Sequence, residues 1–329
     1  AALAAAGHQR HRRCDRDPPH VRHGRERTRD RAAARDTARM LFWRHDGTRI
    51  RDLDPMRRMM PMLMPTRNEA VVYYEQIIDA SAMVAFLDEP REGPKLTPLH
   101  LVVAALGRTL IARPVLDRFV AGRRLWQRKQ PSIAFAAKRE FADGAALKTI
   151  KLPVVADEAL TDTAARIHGA VHAGRTRDDR PVDRELALLG KLPGFLLGPI
   201  ISLARFLDRW HCLPSALSKD DPLFASVFVA NLGSLGIDRA WHHLYEHGTV
   251  SLFCAIGGLR PRLVVGADGA PVVKPTLRLR FTLDERVCDG YYAAQSLEIL
   301  RADLEDPRRF AAPPPPPSKT DVNAARSSL

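Results

Sequence analysis

With 329 residues, 45% apolar and 27% charged, the chain has the composition of a soluble globular protein long enough to bury a sizeable core. Its formal charge of +13 is unevenly placed: Ala1–Arg39 holds eleven arginines, no lysine and five acids, nearly half of the excess. The four cysteines, Cys14, Cys212, Cys254 and Cys288, form no CxxC and no Cys/His ligand spacing, which argues against a zinc site or a disulfide framework and fits a reducing cytosol.

Residues 1–45 show no sustained apolar period and few large apolar side chains, Met40–Trp43 being the first cluster. They cannot bury enough surface to offset the entropy of ordering them, so a disordered Arg-rich segment is expected. Such an arm suits nucleic acid or anionic lipid. Aromatic interleaving, zinc-finger spacing and a reading helix are all missing, so no nucleic-acid partner is expected. Its acids argue against a transit peptide, and no secretory signal is visible, so the expected location is cytoplasmic.

The folded region is expected over 46–310. Val71–Ile78 is β-branched and aromatic, hence a strand. Thr97 and Pro98 are an N-cap and first helical position for a helix running to about Ala112. Ser132–Lys138 and Leu147–Val155 are predicted as strands, and Asp157–Ala173 as a helix. Leu192–Ala204 holds thirteen residues without a charge, short of the ~20 needed to span a bilayer. An interfacial helix within 186–209, with a peripheral membrane contact, is the expectation there. Phe224–Val229 and Thr249–Ile256 are strands. Val264–Val265 and Val272–Val273 flank an Asp268-Gly269 turn, a hairpin signal. From Leu277 to Leu283 apolar and polar residues alternate strictly, predicting a half-buried strand. A helix follows, with Ala293, Leu297, Leu300 and Leu304 on one face and Pro307 at its end. Pro313–Pro317 opens a Pro-rich tail over 311–329, expected to be disordered. Strands and helices without regular βαβ alternation predict an α/β (α+β) fold, a two-layer sandwich of a mixed sheet with helices.

Between the alternating strand and that helix lies Asp284-Glu285-Arg286-Val287-Cys288-Asp289-Gly290. It resembles the catalytic motif of the 2-oxo acid dehydrogenase acyltransferases, in which a histidine is followed four residues later by Asp or Asn and then Gly. Phe228–Asp238, FVANLGSLGID, is similar to the family's segment ending in S-N-L-G or S-S-L-G, and Asp54–Met60 to its opening segment. The resemblance covers about 260 residues. It implies a chloramphenicol acetyltransferase-like fold and a homotrimer with its active site between subunits. It also implies acyl-CoA as co-substrate and a small-molecule acyl acceptor or CoA as partner. In the family the histidine takes the proton of the attacking thiol and a serine hydroxyl stabilises the oxyanion.

The chain departs from the pattern at both positions: the histidine site is Glu285 and the serine site is Ala230. Proton transfer from a thiol to an ordinary His is uphill by roughly two pKa units, and to an ordinary Glu by about four. A glutamate raised to about 6–7 by burial would close most of that gap. Asn231 or backbone N–H groups are candidates to cover for the missing hydroxyl. Three readings of Glu285 stand open. It is a retuned base, or a structural acid paired with Arg286 or another arginine, or catalysis has moved to His242, His243 or His247. Cys288 is read as a small buried apolar residue and Asp289 as the holder of the turn. The residues before the catalytic region are too few and too polar for a lipoyl domain. A freestanding protein with no covalent lipoyl group and no metal is therefore expected, and a non-catalytic trimer that binds CoA or a partner protein is the alternative.

Overall fold

In the computed structural model, which describes residues 44–138, 147–176 and 191–317, three antiparallel pairs of consecutive strands and several distant pairings share the chain's apolar runs. The elements are β1 (Gly47–Arg49), α1 (Pro55–Leu63), β2 (Val71–Asp79), α2 (Ser81–Asp88), α3 (Pro98–Ala112), β3 (Arg118–Ala121), β4 (Arg124–Arg128), β5 (Ser132–Lys138) and β6 (Leu147–Pro153). They continue with α4 (Leu160–Thr176), α5 (Gly194–Arg209), α6 (Ser215–Ser218), β7 (Val227–Asn231), β8 (Leu252–Val265), β9 (Pro271–Asp284) and α7 (Gly290–Glu305).

The main sheet has six strands in the order β2-β9-β8-β7-β5-β6. Its central pairs β8–β7 and β7–β5 are parallel and the outer pairs antiparallel, so the sheet is mixed. One face carries Ile133, Val229, Ile256, Leu279 and Phe281 and packs under α3 and α7 in the main core. Helix α3 starts where its cap residues place it, with the Thr97 backbone N–H donating to His100 Nδ1 at 3.0 Å. Helix α4 starts at Leu160 rather than Asp157, because Asp157 has φ +57°, outside the helical region.

The alternating strand is not half-buried. Arg278, Arg280 and Thr282, on its polar face, are buried too, nearly as well sealed from solvent as the leucines opposite. Residues 232–250 close over that face. There Arg280 reaches Glu75 at 2.6 Å with its guanidinium 4.8 Å from the Trp241 ring, and Thr282 Oγ1 donates to the His242 carbonyl. Alternation therefore marks two chemically different interiors, one aliphatic and one polar and aromatic.

A second sheet, β1-β4-β3, caps one end of the first. Its tight hairpin turns through Gly122 and Arg123, both at positive φ, the signature of a two-residue type I′ loop. Beyond the register shift at Ile256/Leu259, β8 and β9 continue as a two-stranded ribbon to the expected turn, where Gly269 has φ +80°. The chain leaves α7 through a 3-10 turn, Pro307–Ala311, so the boundary expected at 310 falls inside ordered backbone. Arg108 Nη1 then donates to the Ala312 carbonyl at 2.6 Å. The segment 1–43, residues 186–190 of the apolar stretch, and 318–329 of the tail lie outside the described residues.

Candidate active site

Strand β9 ends on Asp284, whose side chain is 0% exposed. A carboxylate that deep is tolerated only with partners. Arg286 supplies a fork, Nε to Oδ1 at 2.8 Å and Nη2 to Oδ2 at 2.7 Å, while its Nη1 donates to the Met64 carbonyl at 2.9 Å. Arg67 stands 3.7 Å from Asp284 Oδ2 and donates to the carbonyls of Gly248, Val250 and Val120 at 2.6, 3.0 and 3.1 Å. Burial drives the Arg67 guanidinium down to about 10, still high enough to keep it charged at neutral pH.

Glu285 is fixed through its backbone. Its N–H donates to the Ala70 carbonyl at 2.9 Å, and its own carbonyl accepts from Arg57 Nη1 at 2.7 Å. The half-buried carboxylate makes no hydrogen bond or ion pair among the described residues. The pairing with Arg286 considered from sequence is not formed, because the deeper carboxylate of Asp284 takes that guanidinium. Asp289 caps α7, its Oδ1 accepting from the Tyr292 N–H at 2.7 Å, and its other oxygen lies 4.0 Å from Arg57. Burial pushes the Cys288 thiol up to about 12, so it is no nucleophile at neutral pH.

Sequence reasoning missed Tyr74. It lies on β2 opposite Phe281, and its hydroxyl stands 3.4 Å from where a Cβ on Gly290 would sit. Burial first, then the nearby carboxylates of Glu285 and Asp289, raise its phenol above the ordinary value, so it stays a hydrogen-bond donor. Only pairing across β2 and β9 brings it to the motif. Arg57 belongs to the family-like opening segment, but nothing local in sequence points it at residue 285.

Asn231 and Ala230 end β7. Asn231 Oδ1 faces the Ser234 N–H at 3.4 Å, and its carbonyl accepts from Ser234 Oγ at 2.8 Å. That leaves the Asn231 Nδ2 hydrogens without a partner among the described residues. Gly233 is required here, since a Cβ would lie 2.3 Å from the Gly257 carbonyl oxygen. The structure does not bring Asn231 to Glu285. Asn231 pairs with Ile256, and Ile256 with Leu279, six residues before Glu285. At 3.2–3.4 Å per residue that is about 20 Å along the strand.

His242 and His243 stack on each other with ring centroids 4.9 Å apart, while His247 is directed elsewhere. His242 stacks on Phe253 at 4.0 Å with its Nδ1 on the His243 carbonyl, and burial lowers its pKa. His243 Nδ1 meets the Leu244 carbonyl, and His247 turns to Asp221 at 3.6 Å. His243 and His247 are thus directed to different partners, and no group of three or more metal-ligating side chains occurs among the described residues.

Residues 215–312, which hold both ends of this arrangement, match the family model of the 2-oxoacid dehydrogenases acyltransferase catalytic domain. The match covers rather less than a third of the chain. A stretch of 80 residues, 24% of the chain, is 34% identical to the dihydrolipoyllysine-residue acetyltransferase component 5 of the chloroplastic pyruvate dehydrogenase complex of Arabidopsis thaliana. That match spans 17% of the relative's length. Among solved structures, the cubic core of the pyruvate dehydrogenase multienzyme complex aligns over 80% of this chain and 94% of its own, with TM-score 0.53 and 18% identity. A dihydrolipoamide acetyltransferase of Azotobacter vinelandii, studied for the roles of a serine, a histidine and an asparagine in its catalysis, gives TM-score 0.52 at 18% identity over the same shares. A probable dihydrolipoamide acetyltransferase of Listeria monocytogenes aligns over 78% of this chain and 93% of its own, with TM-score 0.51 and 16% identity. At these identities the likeness is one of fold: the mixed α/β sandwich of the acyltransferase cores.

Proposed function

We propose that this protein is an acyl-CoA-dependent acyltransferase that works as a homotrimer, with Glu285 of one copy facing Ala230 and Asn231 of the next. The observation that carries the reading is the uncommitted Glu285 carboxylate. Its neighbours in the motif are all engaged: Asp284 and Arg286 with each other, Arg57 on the Glu285 carbonyl, and Asp289 on the helix cap. A turn held this firmly presents one acid outward, as a general base requires. The separation of about 20 Å between Glu285 and Asn231 within one chain fits a site completed by a second copy.

In this arrangement Glu285 takes the proton of the attacking thiol, or of another nucleophilic acceptor. The thioester carbonyl becomes a tetrahedral oxyanion, which Asn231 Nδ2 of the neighbouring copy stabilises in place of the hydroxyl that Ala230 lacks. Tyr74 offers a second donor on the Glu285 side. Collapse of the intermediate expels the CoA thiolate, and the proton held on Glu285 returns to it. The reaction is placed in the cytoplasm.

Free-thiol release from a panel of acyl-CoAs tests the reading, with the native protein beside Glu285→Gln and Glu285→His. The expected result is native turnover that falls by roughly 10²–10⁴-fold in Glu285→Gln. A silent native protein with an active Glu285→His overturns it, as does a monomer by sedimentation velocity. Ala230 favours one second reading, a non-catalytic protein of the same fold that binds CoA or a partner; silence from all three proteins selects it.

A further inference from the structure

Helix α5 has sixteen residues and none is buried, although half are large and apolar. Phe195, the most exposed, is 75% accessible. At 100° per residue, Phe195, Leu196, Ile200, Leu203, Phe206 and Trp210 fall within a single arc of about 140°. Leu197, Ala204 and Asp208 form the half-buried stripe that faces the protein, with half-buried Leu207 at the edge of the arc and Ile201, 51% exposed, on the stripe's far side. Arg205 and Arg209 are exposed on the flank beyond the apolar arc. The helix's one acid, Asp208, is withdrawn from that surface by the buried Arg44, whose Nη1 lies 2.6 Å from Asp208 Oδ1. The outward face is therefore apolar with a cationic margin and an aromatic end. No described helix is long and apolar enough to cross a membrane.

We propose that α5 is an in-plane membrane anchor whose partner is an anionic bilayer surface. Apolar side chains enter the acyl boundary, Trp210 sits at headgroup level, and the two arginines meet lipid phosphates. Charge decides between occupants. A second copy would bring the same arginines and another +13 chain to the contact, whereas an anionic lipid surface complements both. The docking point is specific. Gly122, in the β3–β4 turn, has φ +58°, and a Cβ there would lie 2.3 Å from the Arg209 carbonyl oxygen. Two residues earlier the Val120 carbonyl is bound by Arg67, which also faces Asp284. The anchor thus attaches to the end of the sheet that bears Glu285. The proposal is independent of acyl transfer.

The test is co-sedimentation of the full chain with vesicles of phosphatidylcholine alone and of equimolar phosphatidylcholine and phosphatidylglycerol. The expected result is binding to the mixed vesicles and little to the neutral ones. A variant combining Phe195→Ser, Leu203→Ser and Phe206→Ser should lose binding on the order of a hundredfold with an unchanged melting curve, since these side chains are exposed. Phe206→Ser alone should lose roughly tenfold, and it replaces the triple variant as the test should that one fold poorly. Replacing Arg205 and Arg209 by Gln should erase the preference for phosphatidylglycerol. The proposal is overturned by native protein that ignores both vesicles, or by apolar-to-Ser variants that bind as the native protein does. Variants that dissociate a native oligomer in vesicle-free solution also overturn it, and give the face to a second copy.

Discussion

At the Glu285 end of the main sheet the turn is held by charge: Asp284 is enclosed by Arg286 and Arg67, and Arg57 clamps the Glu285 carbonyl. At the Asn231 end the turn is held by backbone. Leu232 donates to the Ile256 carbonyl at 3.0 Å, Ile237 to the Leu232 carbonyl at 3.1 Å, and Gly233 sits against Gly257 where no side chain fits. Both strands end in a motif residue, yet one end relies on buried ions and the other on glycines. The ionic end fixes side chains in direction, as a base needs. The glycine end fixes N–H groups and one amide, as a donor site needs. Two halves of one proposed site are thus made rigid by unrelated means, and so should fail differently.

The greatest loss should come from the ionic end, at Asp284. Asp284→Asn leaves Arg286 and Arg67 without their buried counter-charge and should cost about 3–5 kcal/mol in urea unfolding. A loss below about 1 kcal/mol would mean that the ionic end is held by something else. Gly233→Ala should cost less, about 1–3 kcal/mol, because the added carbon meets backbone rather than a flexible side chain. Its local signature is faster amide exchange at Leu232 and Ile237, with the Glu285 turn undisturbed; slowed or unchanged exchange would contradict the close-approach reading. Smallest is Asp289→Ala, which removes a helix cap and should cost about 1 kcal/mol in thermal unfolding. A much larger loss would move Asp289 from cap to participant in the Arg57 network.

Sequence pattern went far here because much of the fold is written locally. Val71–Ile78, Ser132–Lys138, the Thr97–Pro98 helix start and the Asp268-Gly269 turn all stand where local chemistry puts them. What escaped was set by distant partners. The short strands β1, β3 and β4 have too few residues to carry a period. Helix α5 has a period, but its meaning depends on what its face meets. Arg278 and Arg280 read as a solvent face until residues 232–250 cover them. At the candidate site, the Glu285 and Ala230 positions were legible because a resemblance named them. The uncommitted state of Glu285 was not, because it depends on Arg286 choosing Asp284. Tyr74 and Arg57 reach the site only through pairings more than 200 residues apart in sequence.

That last fact governs the order in which a growing chain can finish its sheet. Strand β2 emerges early, but its described neighbour in the sheet is β9, whose register ends with Val71 against Asp284. Ser132, at the start of β5, likewise meets Ser226 only after 94 more residues have been made. A chain stopped before Thr276 holds β2 as a lone strand with its ladder groups unanswered, a ready template for pairing with another molecule. Synthesis of this protein therefore passes through a long interval in which β2 has no correct partner to find.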